Sequence, residues 1–415
     1  MASGVDQTTT TADWLIKYLY ADGLNEEALV SSNALLMYVE KDKSFTSSKG
    51  LVVPVSASNT QVGYATNADA YAARAGGTGA DFTVPVRKML GFGALDSHLV
   101  RLTEAGSDES QFTNILERDI DGATTNFGQE LNIALYGRNL GERSRVHATT
   151  AISTTVLTLA NPEDAAFYAL DMRISAIDPA TNLLRDSGDF VTIVGIDPIE
   201  GTLAADAPWS NISGIALGDI LIRWGTRNTR IDGLAGWVPT TANLSTNFLG
   251  VNQTVSRTTY AGVYVDVSGY AIRPGLLRAA AVMEGQLGQG FSKKSPIFMN
   301  PADAMEIVAS VESVKVVETS MTTKYNVGID AVEVLCCTIV KDRHCPVGTA
   351  FMVPKDAFTL GSAGDAPRID NQDGRNLSYE RTTGQLQFVM AFDGNAFSQK
   401  VNTLAQIKLP VRTPL

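Results

Sequence analysis

The side chains with the most chemistry to offer sit close together late in the chain: Cys336, Cys337, His344 and Cys345. Thiolates and an imidazole are zinc ligands, but a structural zinc site takes four of them, commonly in C-x-x-C or H-x-x-x-H pairs. Adjacent residues such as Cys336 and Cys337 point to opposite faces of a strand, so both cannot easily reach one metal. Small buried strand residues are the better reading. Asp370 to Gly374 (Asp-Asn-Gln-Asp-Gly) has the flavour of a calcium loop, yet its twelfth position is Arg381 rather than glutamate. A turn before a strand is expected there. His98 and His147 have no obvious nucleophile partner, and no G-x-S-x-G, H-E-x-x-H or G-x-x-x-x-G-K-[ST] motif occurs. The sequence therefore predicts no enzyme, no cofactor and no metal.

Composition narrows the remaining classes. The chain has 415 residues, 44% of them hydrophobic, enough for two or three packed domains. Its formal net charge of −11 gives no global basic field to recruit nucleic acid. An acidic wall can still enclose DNA that it is meant to repel. No run of about 18 apolar residues is present, so no membrane span is expected. Met1 to Thr11 is polar and threonine-rich, without the basic-then-apolar layout of a secretory signal. Three cysteines are too few and too odd for a disulfide framework, which points to a reducing cytosol.

The elements that must position these residues come in a telling order. Trp14, Leu15, Tyr18 and Leu19 recur at helical spacing, and an apolar cluster runs from Ala28 to Val39. Residues 1–49 read as an arm with little core. A hairpin follows, rising through Gly50 to Ser58 and descending through Asp81 to Met89, with Pro54 and Pro85 confining both limbs to edges or bulges. Asn59 to Ala80, between them, is rich in alanine and glycine and is expected to order only against a neighbour. The strongest period belongs to a helix over Asp108 to Tyr136. There Phe112, Ile115, Leu116, Ile120, Ala123, Phe127, Leu131, Ala134 and Leu135 step by threes and fours. It would be roughly 43 Å long, with Ser107 as N-cap and Gly137 as its stop. From His147 to Pro239 short apolar runs alternate with turn clusters, which suggests a small inserted barrel or sandwich closed by Asp232 to Trp237. Helices over Pro274 to Leu287 and Ala302 to Glu312, and strands at Ile297, Ala331 to Val340, Ala350 to Val353, Leu386 to Phe392 and Ala405 to Leu409, complete the reading.

In that order, the segments resemble the major capsid proteins of tailed bacteriophages, the Hong Kong 97 fold. The late stretches carry the most: Ile297 to Pro301 with Asn300-Pro301 before a helix, Val340 to Pro346, Ala350 to Leu360, and Leu386 to Leu409. The resemblance implies an α+β chain with an N-terminal arm (1–49), an extended loop (50–102) and a peripheral domain with a spine helix (103–146). A β-rich insertion (147–238), an axial domain (239–380) and return strands of the peripheral domain (381–415) follow. The insertion, and the lack of a long charged scaffolding segment, depart from the simplest members. The implied function is self-assembly into hexamers and pentamers of an icosahedral head shell around double-stranded DNA, without sequence-specific binding. The implied partners are other copies of the chain, a portal protein, and scaffolding and decoration proteins, with no membrane. The location would be the virion, after assembly in the host bacterial cytoplasm. An encapsulin-like compartment shell is the alternative. Candidate intersubunit contacts on the loop are Arg74, Phe82, Val84, Val86, Arg87 and Met89. The two arginines would meet carboxylates on neighbours, or else form a solvated face. Some members form Lys–Asn crosslinks, for which Lys88 and Asn395 would be the pair, but no motif matches and no catalytic residue is assigned.

Overall fold

The computed structural model describes residues 33–43, 50–56, 68, 79–96, 109–150, 152–287, 295–312, 331–334, 337–364, 368–369, 378–380 and 385–410. The expected helix around Trp14, most of the stretch between the hairpin limbs including Arg74, Cys336, and the Asp370 to Gly374 turn lie outside the described residues. Those described form a mixed α+β fold with three six-stranded sheets and one two-stranded hairpin.

The first sheet is built on the strand Gln385–Phe397. Along one edge it pairs antiparallel with Arg87–Asp96, from Gln385 opposite Asp96 to Gly394 opposite Arg87. Its other edge takes Thr359–Ser362, Arg368–Ile369 and Ser378–Glu380. Phe388, Met390 and Phe392 on one face are buried in the main core, and Val389 and Ala391 between them are buried too. Against this sheet lies the long helix, described over Glu109–Tyr136 and ending at the expected residue. It buries Ile120, Phe127, Leu131, Ala134 and Leu135 on one stripe.

The hairpin splits where proline dictates. Leu51–Ser56 pairs with Gly79–Val84, placing Pro54 opposite Asp81. At Pro85 the ladder breaks, because proline has no N–H to donate and restricts the residue before it. The chain restarts at Arg87 as a strand of the first sheet. The single descending limb expected over Asp81 to Met89 is therefore two strands in two sheets.

The arm also needs correction. Ala34, Leu35, Leu36 and Val39 are buried in the main core, and Glu40–Asp42 runs parallel to Thr359–Ser362. This end of the arm belongs to the body.

The insert begins at Glu142 and its last strand ends at Arg223. Its sheet runs in the order Glu142–Arg145, Ile220–Arg223, Arg173–Ile177, Val191–Asp197, Thr202–Ala205, Val156–Thr158, with every neighbour antiparallel. Its two outermost strands are joined just beyond their ends by a bridge between Val146 and Leu159. There Ala160 N–H donates to the Arg145 carbonyl at 2.8 Å. Leu157, Ile174, Ile193, Leu203, Trp209 and Leu221 form its core, and Ile133 of the long helix packs into it. Asp232 to Trp237 does not close the insert: Leu234 and Trp237 lie in the main core.

The third sheet has the order Val263–Asp266, Ala405–Lys408, Thr349–Met352, Ile297–Met299, Cys337–Lys341, Ala331–Val334. Its central strands are buried on both faces, which explains their unbroken apolar runs. Ile297, Met299, Ala350 and Met352 meet the helices Ile272–Leu287 and Pro301–Glu312, while Phe298 and Phe351 face the main core. Asn300 caps the second of these helices, its Oδ1 accepting from Ala302 N–H at 3.0 Å. The run Ala331 to Val340, expected as one strand, is two antiparallel strands with Val334 opposite Cys337. No helix among the described residues is long and apolar enough to cross a membrane.

Candidate functional site

Cys345 is fully buried and donates weakly to the carbonyls of Phe298 (3.7 Å) and Thr349 (3.4 Å). Burial, then the nearby Asp342 and Asp303 carboxylates, push its thiol well above the ordinary value, so it stays protonated and inert. Among the described residues no group of three or more His, Cys, Asp and Glu side chains is placed to hold a metal. The organised polar chemistry lies instead at three junctions between elements.

The first seats the arm. Asp342 follows the strand Cys337–Lys341 and is almost completely buried. Its carboxylate accepts from Leu35 N–H (3.1 Å), Tyr136 O–H (2.9 Å), His344 N–H (2.9 Å) and Asn132 Nδ2 (3.0 Å). Asn132 Oδ1 in turn accepts from Leu36 N–H at 3.1 Å. Burial alone would raise the Asp342 carboxyl, but the bonds from His344 and Asn132 outweigh it and hold the group below its ordinary value. Arm, long helix and third sheet thus meet on one ionised carboxylate.

The second joins the insert to the helix. Glu130 pairs with Arg143 at the start of the insert, with Arg230 beyond its end (2.9 Å), and with Arg223 on its last strand (3.6 Å). Burial raises the Glu130 carboxyl, yet the three guanidiniums overcome that and bring it down to about 2. Arg230 is pulled to about 10 by burial and by Arg143 beside it, against the pull of Glu130.

The third lies under the loop base. Asn395, fully buried on the long strand, donates to the Pro85 carbonyl and to Asp232 Oδ2, both at 2.9 Å, and its Oδ1 accepts from Asp232 N–H at 2.8 Å. Burial raises the Asp232 carboxyl despite the bond from Asn395 and the nearby Arg87. Arg87 donates to the Asn228 carbonyl at 3.0 Å, and its Nε lies 4.0 Å from Asp232.

Between the second and third junctions runs a groove of about 580 Å³. The long helix forms its floor at Ala123, Asn126 and Phe127. The strand from Arg87 to Phe92 makes one wall, and Arg223 to Ile231 the other.

The expected contact residues fall out differently. Phe82 and Val84 have no exposed surface. Phe82 packs on Trp237 (centroids 5.1 Å apart) and Phe248 (6.2 Å) of its own chain. They cannot serve a neighbour, because the alternation that marks them as apolar also turns them inward. Val86 and Met89 are half-buried against the same core. Arg87 finds acceptors within its own chain, and Arg74 lies outside the described residues. Asn395 is committed on both its nitrogen and its oxygen, while Lys88 sits opposite Asp393 in the ladder. Sequence reasoning missed Glu130, Asn132 and Asp342. The only signal was two polar residues interrupting the most apolar stretch of the helix.

No family model and no curated protein matches the chain. Solved structures do. A chain of the cyanophage A-1(L) capsid asymmetric unit superposes with a TM-score of 0.54 at 12% identity, covering 92% of this chain and 93% of that one. A chain from Mycobacterium phage Patience gives 0.46 at 10% identity, covering 98% and 88%. The holo-SrpI encapsulin of Synechococcus elongatus PCC 7942 gives 0.41 at 7% identity, covering 91% and 88%. The first comparison carries the argument: over more than nine tenths of both chains, this chain has the fold of a phage capsid chain, as the order of its segments implies.

Proposed function

We propose that the chain is a tailed-phage major capsid protein whose copies form hexamers and pentamers of an icosahedral shell around double-stranded DNA. The observation that carries this reading is the fold shared with the cyanophage capsid chain over 92% of this chain. In this reading the work is assembly rather than catalysis. The helix Glu109–Tyr136 is the spine of a peripheral domain completed by Gln385–Phe397, and the third sheet is the axial domain. Residues 50–102 are the extended loop, with Arg74 and the half-buried Val86 and Met89 as its candidates for contact with a neighbour. The insert is a small barrel, a reading supported by the bridge between Val146 and Leu159 that links its outermost strands. Its partners would be further copies of itself, a portal protein, and scaffolding and decoration proteins, in a virion assembled in the host cytoplasm.

Electron microscopy of the purified chain tests the proposal. Closed shells or five- and six-membered rings are expected, and particles from infected cells should contain DNA. A chain that stays monomeric under every condition favouring association overturns it. Particles filled with a cargo protein and free of nucleic acid would assign the chain to compartment shells instead.

A further inference from the structure

The seat of the arm contains a buried histidine whose hydrogen bonds admit only one charge state. His344 is 2% exposed, where the long helix, the insert and the third sheet meet the arm. Asp342 lies beside it on its own loop, Asn132 reaches it from the long helix, and Phe167 of the insert stacks on its ring with centroids 6.4 Å apart. The Asn132 amide has one workable orientation. Its oxygen accepts from Leu36 N–H at 3.1 Å, and its nitrogen faces the Asp342 carboxylate at 3.0 Å. Turned over, it would set N–H against N–H and oxygen against carboxylate. The same nitrogen is 3.1 Å from His344 Nδ1, so its second hydrogen points at the ring and Nδ1 accepts it. The seated arm therefore requires a neutral imidazole with its proton on Nε2. Yet Asp342 Oδ1 lies 3.6 Å from that bare Nδ1, and a carboxylate at this range draws a proton to it.

We infer that His344 is a proton-operated latch on the arm. A proton taken up at Nδ1 turns an acceptor into a donor that can no longer face the Asn132 amide. The new N–H is met by Asp342, the amide nitrogen is displaced, and Leu36 N–H loses the oxygen that holds it. One carboxylate thus passes from Asn132 to His344, and the arm is released. The neighbouring groups do not blur the switch. Tyr136 and Cys345, beside Asp342, are kept protonated by burial. On the insert, Arg143 donates to the Phe167 carbonyl and is paired with Glu130, whose carboxyl at about 2 stays ionised. The imidazole is then the member of this cluster that changes charge as the pH falls from about 8 to 5. The sign follows from proton counting. The seated form has no place for the Nδ1 proton and the released form does, so acid favours release. The latch acts within one chain and does not depend on the shell reading.

Hydrogen exchange of the full-length chain tests the latch in steps from about pH 8 to 5, read as protection relative to each amide's intrinsic rate. Protection of Leu35 and Leu36 should fall with a limiting slope of about tenfold per pH unit, that of one proton, while Ile297–Met299 stays protected. His344→Gln offers Asn132 an oxygen but binds no proton, and it should abolish the pH dependence. Glu40→Gln is the control on the arm itself. It removes an exposed carboxyl that the hydrogen bond and charge of Asp356 raise, and it should leave the dependence unchanged. Protection that is constant across the range, a fall that survives in His344→Gln, or one that vanishes in Glu40→Gln overturns the latch. So does loss at Ile297–Met299 in step with the arm, which is unfolding of the whole chain. If His344→Gln does not fold, the unaltered chain and Glu40→Gln decide by the same readings.

Discussion

Glu130 shows how much one side chain can hold. Three arginines from the two ends of the insert converge on it, so Glu130→Gln would leave Arg143 and Arg230 facing each other without a counter-charge. The expected loss is about 3–5 kcal/mol, read from denaturant unfolding. The same carboxylate gives a pH signature. Its folded value is about 2, against an ordinary value of 4.5. A depressed acid contributes its stabilisation fully above the ordinary value and loses it as the pH falls toward the folded one. Acid unfolding of the unaltered chain should therefore steepen between about pH 4.5 and 2, and the slope there should flatten in Glu130→Gln. Asp342→Ala would strip the acceptor from Leu35, Tyr136 and His344 at once. A loss of about 3–5 kcal/mol is expected, with early hydrogen exchange at Leu35 and Leu36 as the sign that the arm has left its seat. Neither acid is conspicuous in the sequence. Glu130 and Asn132 look like ordinary polar helix residues, and their partners lie 100 positions away at Arg230 and 210 away at Asp342.

At the scale of elements, legibility follows range. The long helix could be read because its period is local, and Asn300-Pro301 because a cap and a first-turn proline act within three residues. Pro85 marks an edge in the sequence but not the switch of sheets, which depends on the distant strand Gln385–Phe397. The pairing of Ala331–Val334 with Cys337–Lys341 is hidden in the sequence, because no glycine or proline lies between them. Burial of the arm was hidden because Leu35 is held by a carboxylate 307 residues on. One glycine tests how the elements fit. A Cβ on Gly233 would lie 2.4 Å from the carbonyl oxygens of Ala134 and Leu135 and 2.7 Å from that of Gly137. Those are backbone atoms and cannot swing aside. Gly233→Ala should cost about 3 kcal/mol, visible as a lowered unfolding midpoint, because the chain leaving the insert could no longer rest on the end of the helix.

Across the whole molecule, the main core and the insert share one helix, while a second core lies between the third sheet and the helices Ile272–Leu287 and Pro301–Glu312. The main core draws on the arm, the loop base, the helix and the late strands. The insert has its own core, to which the helix adds Ile133. Calorimetry should accordingly show the insert melting as a separate cooperative step. In Glu130→Gln that step should move further from the main one, since the tie between them is weakened. The resemblance seen in the sequence rested on the order of segments, which survives at 12% identity because each segment's period and punctuation are set by its own burial.

The insert leaves and rejoins the body through strands that lie side by side, with Arg145 directly opposite Ile220. Opposed residues on antiparallel strands sit about 5 Å apart. Everything from Val146 to Asp219 is thus a detachable cassette on a two-strand stem. A foreign module whose termini lie equally close could be spliced in its place on the same stem, once Ile133, which would lose its cover, is made polar.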